Sequence, residues 1–415
     1  MTVILEIISQ HVEEVAFLWL LRSNAIRQPH YSLKDLAKLD DRVEAHLDGL
    51  RVAGEPGWEL CKAALGNKKA GEVFAASVMA FESGIEARIQ AVLDVVTAKP
   101  ELANGMISGL GWVTLEQASP HIQRFLSSQV HLHRQIGFAG CAVHLVDPKH
   151  ALTQAVTSRN LALRARALKA VGELGRRDLL AAIKESLKAE DKEVCYWAAW
   201  SGALLGEPAA VSVLRQFVES GHPKRDSACA MALRRMSVQD GQTWLKALAS
   251  DPGTHRLAVQ AAGVIGDPAN IPWLIQQMAN PMLARVAGES LEVMTGADIS
   301  TDKLEGKKPQ GFESGPNEDP KDENVAMDAD ENLLWPDPQL IEKWWFTHRV
   351  EFTNGTRYLL GKPMAIESLT VALRTGKQRQ RCAAALELAI RQPGTALFNT
   401  SAPGFRQQAL LGLKS

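Results

Sequence analysis

The eleven histidines are the residues with the most scope for chemistry in this chain, and their neighbours argue against a metal site. Helical scaffolds that hold two irons do so with repeated His-Glu dipeptides, whose imidazoles and carboxylates converge on metal. No histidine here is followed by Glu. His131 and His133 stand two apart with His144 downstream, but no cysteine or carboxylate pattern completes a ligand set, so they read as solvated or packed side chains. The phosphate loop GxxxxGK[ST] and the nucleophile elbow GxSxG are both missing. The five cysteines (Cys61, Cys141, Cys195, Cys229, Cys382) are odd in number and show no CxxC spacing; they fall mostly among apolar positions. That is the pattern of reduced core thiols, and it points to a reducing, cytoplasmic setting. The expectation is no catalytic residue, no metal and no cofactor.

The elements that would carry any function are helical. Hydrophobic residues make up 46% of the 415, but aromatics only 6%, with Ala and Leu crowding the middle. The longest apolar run near the N-terminus, Val15 to Leu21, stops at Arg22. It is too short to span a bilayer and lacks the marks of a secretory signal. The formal net charge of -1 hides an uneven distribution. Residues 297–331 carry eleven acidic and four basic side chains, net -7, between a repeat region of net +4 and a tail of net +6.

A period organises the centre of the chain. Val146, Leu174, Leu205, Met236, Ile265 and Met294 each precede a turn, at spacings of 28, 31, 31, 29 and 29. Seven residues before these anchors stand Ala139, Ala167, Ala198, Cys229, Ala258 and Ala287. Four before them stand Ala142, Ala170, Ser201, Ala232, Ala261 and Ser290. Offsets of -7, -4 and 0 share one helix face, so each repeat opens with a helix whose small residues admit a close neighbour. Turns such as Gly206-Glu207-Pro208 and Gly266-Asp267-Pro268 then place Gly at a C-cap and Pro in the next first turn. Each unit is a helical hairpin that needs stacking to bury its face.

This stretch, 134–296, resembles the short HEAT-like repeats also found in phycobilisome lyases. The resemblance implies an all-α fold, an α-solenoid of helical hairpins, and says little of function, since such solenoids host unrelated activities; the function expected is protein binding by a non-enzymatic scaffold or adaptor. Four segments follow: an N-terminal helical region (1–133), the repeats (134–296), an acidic flexible linker (297–332) and a small, mostly helical C-terminal module (333–415). Helical patterning in 1–133 is clearest at Ala70–Ser83, Ile85–Thr97 and Leu115–Leu126, and returns at Arg381–Ile390. Asn354-Gly355, inside Val350–Leu359, fits either a type I′ hairpin or a loop. The whole layout, with Trp335-Pro336-Asp337-Pro338 and Trp344-Trp345-Phe346 in its tail, resembles an uncharacterised proteobacterial family sometimes associated with type VI secretion gene clusters. That implies a secretion accessory or immunity protein.

The second helices usually line the concave side of such solenoids, and one aligned column there reads Lys184, Arg215, Lys246, Ile275. With Trp244 and Trp273, the three cations form the candidate binding site for another protein with an acidic surface. The acidic linker is a natural competitor for that ridge. The alternative is a HEAT-like DNA-binding protein or DNA glycosylase, in which Trp197, Trp200, Trp244 and Trp273 would handle bases beside Arg164, Arg166, Arg234, Arg235 and Arg256. A repeat-region excess of only +4 is slight for tracking phosphates.

Overall fold

A computed structural model describes residues 4–316 and 326–413. The chain is an all-α solenoid: helices follow one another from Leu5–Ala25 to Gly404–Leu410, and the only ladder among the described residues is the two-residue pair Tyr358–Leu359 with Lys362–Pro363. The periodicity of the centre becomes six first helices, His131–His144, Leu161–Glu173, Lys192–Leu205, Arg225–Arg235, His255–Ile265 and Pro281–Thr295. All twelve small residues at offsets -7 and -4 are buried. Gly206 and Gly266 end their helices in the left-handed region, as the turn pattern requires.

The chain divides into two compact units, residues 1–210 with 392–415, and residues 211–391. These do not coincide with the segments drawn from the sequence, because the repeats are shared between them and the C-terminal residues are too. In each unit the returning chain covers the ends of earlier helices.

In the first unit the long helices Leu5–Ala25 and Leu33–Ala53 lie against one another, the second opened by a Ser32–Asp35 capping box. Helix Ala70–Ser83 is buried on every side along Val73–Phe81, which is why its sequence is apolar around the full turn. Arg22 and Asp40, both buried, bind each other and also hold the tail. Arg22 donates to the carbonyls of Ser401 (3.2 Å) and Ala402 (2.9 Å), and Asp40 accepts from the amide of Gly404. Further along, the Leu397 amide donates to the Glu173 carbonyl at 2.8 Å, and Arg406 donates to that of Val113 at 2.9 Å.

The second unit repeats this device. The amides of Tyr358, Leu360 and Gly361 donate to the carbonyls of Gly266, Val293 and Met294 at 2.8 to 3.0 Å. Arg357 donates to Arg234, Val264 and Ile265 carbonyls at 3.2 Å each. Helix C-termini leave their last carbonyls without intrahelical partners, and the returning chain supplies the donors. The hairpin turn falls at Leu360-Gly361, both at positive φ, and not at Asn354-Gly355, which closes a separate turn from Thr353 to Thr356.

Within segment 297–332, expected as a flexible linker, a few described residues pack against the rest of the unit while most are exposed; residues 317–325 lie outside the described residues. Ile299 and Leu304 are buried, and Glu305 bridges to Pro336. Buried Arg285 pairs with Asp328 at 2.8 Å and stacks over Trp335 at 4.7 Å, while Asp337 caps helix Pro338–His348. This gives Trp335-Pro336-Asp337-Pro338 a structural account. Its Trp receives an arginine, its first Pro joins the bridge, its Asp caps, and its second Pro occupies the first helical position.

Candidate functional site

Of the predicted binding residues, the structure brings Arg215 and Trp244 together. The Arg215 guanidinium, on helix Ala209–Glu219, lies 5.1 Å from the centre of the Trp244 ring, on helix Val238–Ser250. Trp244 is buried, so its ring is both a packing element and a floor for the cation. Arg215 also lies 3.9 Å from Glu219, one turn on. Lys246 is exposed on the same helix as Trp244. Trp273 is half-buried beside His255, at 6.0 Å between ring centres. Lys184 belongs to the first unit, where its exposed amine pairs with buried Glu207 at 3.1 Å.

The acidic segment engages other cations. Asp330 holds Arg256 with two hydrogen bonds of 2.9 and 2.5 Å, Asp328 holds Arg285, and Asp298 meets Lys377 at 3.2 Å. Residues 317–325, which hold four of the segment's acidic side chains, lie outside the described residues.

Four of the five arginines that would track a phosphate backbone are bound to protein groups; Arg235, half-buried, is the other. Arg166 pairs with Glu173 at 2.8 Å, Arg164 donates to Ser186 at 2.8 Å, and Arg256 pairs with Asp330. Arg234 is buried against Glu387. Trp197 and Trp200 pack edge to face, with Lys169 over Trp197 at 4.6 Å.

Sequence reasoning missed a cavity of 380 Å³ inside the second unit. Its walls are the first helices Arg225–Arg235, His255–Ile265 and Pro281–Thr295, closed by helix Gln378–Arg391 and by Leu359 and Met364. Charged residues line it in pairs. Arg379 binds both oxygens of Glu289 at 2.8 Å, and burial pushes that carboxyl above its ordinary range. Glu387, 1% exposed, sits among Arg234, Arg357 and Arg391 at 3.7, 2.8 and 3.3 Å. Glu289, Arg379 and Glu387 carry no local motif. The hint was positional: Arg234, Arg379 and Glu387 are charges inside otherwise small or apolar helical faces.

Among the described residues, no group of three or more His, Cys, Asp or Glu is arranged to hold a metal ion. His133 hydrogen-bonds Ser128 at 3.1 Å, and His144 meets the Leu110 carbonyl at 2.7 Å. Burial pushes the thiols of Cys61, Cys141 and Cys229 up to about 12, which makes them poor nucleophiles at neutral pH. No described helix is long and apolar enough to cross a membrane.

Stacked helical hairpins closed by buried small-residue columns define a HEAT-like repeat protein. A family model described as HEAT repeats matches residues 149–234, the stretch that runs from helix His150–Ala155 through helix Arg225–Arg235. No curated protein and no solved structure matches the chain. HEAT repeats commonly serve as protein-interaction scaffolds, because the stack exposes one long row of equivalent positions.

Proposed function

We propose that the chain is a non-enzymatic scaffold or adaptor that binds another protein through the second-helix face of the second unit carrying Arg215, Trp244 and Lys246, with Trp273 as a further contact; Lys184, in the first unit, is a separate candidate contact. The observation that carries this reading is the seat of Arg215 on Trp244. A guanidinium held over an indole loses less freedom on binding, and its donors face a carboxylate in a fixed direction. An acidic partner surface is the matching chemistry. The narrower role of a type VI secretion accessory or immunity protein, in the cytoplasm, rests on the resemblance of the tail motifs and is proposed with it.

Affinity capture from the native host, comparing the wild type with Arg215→Glu/Lys246→Glu, tests the reading. A protein recovered stoichiometrically by the wild type and lost by the double variant supports it. Recovery of nucleic acid without a protein partner, with steeply salt-dependent binding to duplex DNA, overturns it in favour of the glycosylase-like alternative.

A further inference from the structure

Helix Leu5–Ala25, in the first unit and away from the Arg215 face, is apolar on two opposite sides. Its inner side buries Ile8, Val12, Val15 and Leu18, yet its outer side carries Phe17 and Leu20, 60% and 61% exposed, with Leu21 beside them at 37%. A helix with one side in water ordinarily turns polar residues outward, and one that is apolar all round is covered all round. A contiguous exposed apolar patch marks an interaction site.

The outer stripe runs Glu6, Gln10, Glu13, Phe17, Leu20 and Asn24, alternately four and three residues apart and all exposed, except for the wider step from Glu6 that Gln10 divides. That is the seam spacing of helices that pack along one another. The charge on this face is graded. Helix Leu5–Ala25 has no Lys or Arg before Arg22, so Glu6 and Glu13 make its N-terminal end acidic. Helix Leu33–Ala53 runs antiparallel beside it, as the Arg22–Asp40 and His11–His46 pairs fix. Its exposed Lys38 and Arg42 therefore stand beside the other end, where they line a groove with Leu21 and Tyr31. Asp35 also lines that groove, with its carboxylate accepting from the Ser32 amide and hydroxyl at 3.0 and 2.6 Å, while exposed Asp41 lies outside the lining. The groove end is thus net positive. None of Glu6, Glu13, Lys38 and Arg42 forms an ion pair among the described residues.

We propose that this face pairs with the same face of a second copy of the chain in a two-fold dimer. A half-turn about an axis normal to the face, between the two helices, sets the acidic end of one copy on the basic end of the other and brings the Phe17 and Leu20 patches together near the axis. The face is self-complementary, as an isologous interface requires. A partner of uniform charge would meet repulsion at one end. Two 21-residue helices side by side span about 30 by 20 Å, on the scale of the roughly 800 Å² that each partner gives to a stable interface.

Sedimentation equilibrium of the full chain tests the proposal. The wild type should be dimeric at micromolar concentration, and the dimer should weaken with salt. Phe17→Gln/Leu20→Gln, at two exposed positions, should be monomeric with an unchanged circular dichroism spectrum. Two charge reversals separate matching from mere stickiness. Glu6→Lys/Glu13→Lys makes both ends basic and Lys38→Glu/Arg42→Glu makes both ends acidic, and each variant should dimerise at least about tenfold more weakly than the wild type. Mixed in equal amounts, the two should pair with each other at close to wild-type strength, because both contacts return with their signs exchanged. A wild-type monomer across the micromolar range overturns the proposal. So does an undiminished dimer of the folded Phe17→Gln/Leu20→Gln variant, or a mixture of the charge variants that associates no better than either alone.

Discussion

Gly263 and Ser290 face each other across helices His255–Ile265 and Pro281–Thr295, so closely that a Cβ on Gly263 would lie 3.0 Å from the Ser290 Cα. Ser290 Oγ donates to the Val259 carbonyl at 2.9 Å. In the first unit Gly172 and Ser201 stand in the same relation: a Cβ on Gly172 would lie 2.5 Å from Ser201 Oγ, which donates to Leu168 at 2.7 Å. Each glycine is two residues before its anchor and each serine four before the next, so two repeats close by one device.

Replacing either glycine tests that device through the sign of the effect. Glycine to alanine inside a helix ordinarily stabilises by about 1 kcal/mol. Here Gly172→Ala and Gly263→Ala are expected to destabilise by about 1 to 3 kcal/mol, because the added methyl must push two backbones apart. Urea unfolding measures it, and a gain in stability for both variants would refute the close approach.

The alanine columns make a similar claim with a larger group. Ala167 and Ala258 are fully buried, one in each unit. Ala167→Leu and Ala258→Leu should each cost about 1 to 3 kcal/mol in the same measurement, whereas leucine at the exposed Ala247 should change little.

Glu387 is the shared partner of three arginines. Glu387→Gln keeps the shape and removes the charge, leaving Arg234 buried without a counter-ion, and is expected to cost about 3 to 5 kcal/mol. Arg391→Gln, whose side chain is 27% exposed, should cost much less. Equal losses in thermal unfolding would mean that the Glu387 charge is not the centre of the cluster.

Acid should weaken the first unit through its histidines. Burial, first among the causes, holds His46, His121, His133 and His144 below the ordinary value near 6.5, and His11 adds to the effect at His46. A histidine depressed in the folded state favours the neutral form. Its stabilisation is present above the unfolded value and is lost as pH falls through the folded one. The urea midpoint should therefore drop between about pH 7.5 and 5.5, and a His46→Gln/His144→Gln variant should show a shallower drop.

The repeats were legible because their signal is local and periodic: small residues at -7 and -4 and Gly-Pro turns report packing without knowledge of the partner helix. Helices Ala70–Ser83, Glu86–Ala98 and Leu115–Ser127 were read within two residues for the same reason. The contacts made from segment 297–332 were not legible because they depend on distant groups. Asp328 and Asp330 are ordinary acids until Arg285 and Arg256 meet them. Trp244 and Arg215 were singled out singly, but their stacking depends on how two helices pack. The cavity was invisible because its walls lie more than a hundred residues apart in sequence, as Arg234 and Glu387 do.

The returning chain also bears on how the molecule is made. A solenoid whose repeats touch only their neighbours can close one repeat at a time as it leaves the ribosome. Here the carbonyls at Val264, Ile265, Val293 and Met294 find their donors only in residues 357–361. The Arg22–Asp40 pair, within the first forty residues, finds its last donor and acceptors only in residues 401–404. Contact order is thus far higher than the repeats alone suggest, which predicts slow, post-translational completion of both units. A nascent chain halted before residue 392 would hold the N-terminal helices with their buried guanidinium only partly satisfied, an open form within reach of chaperones.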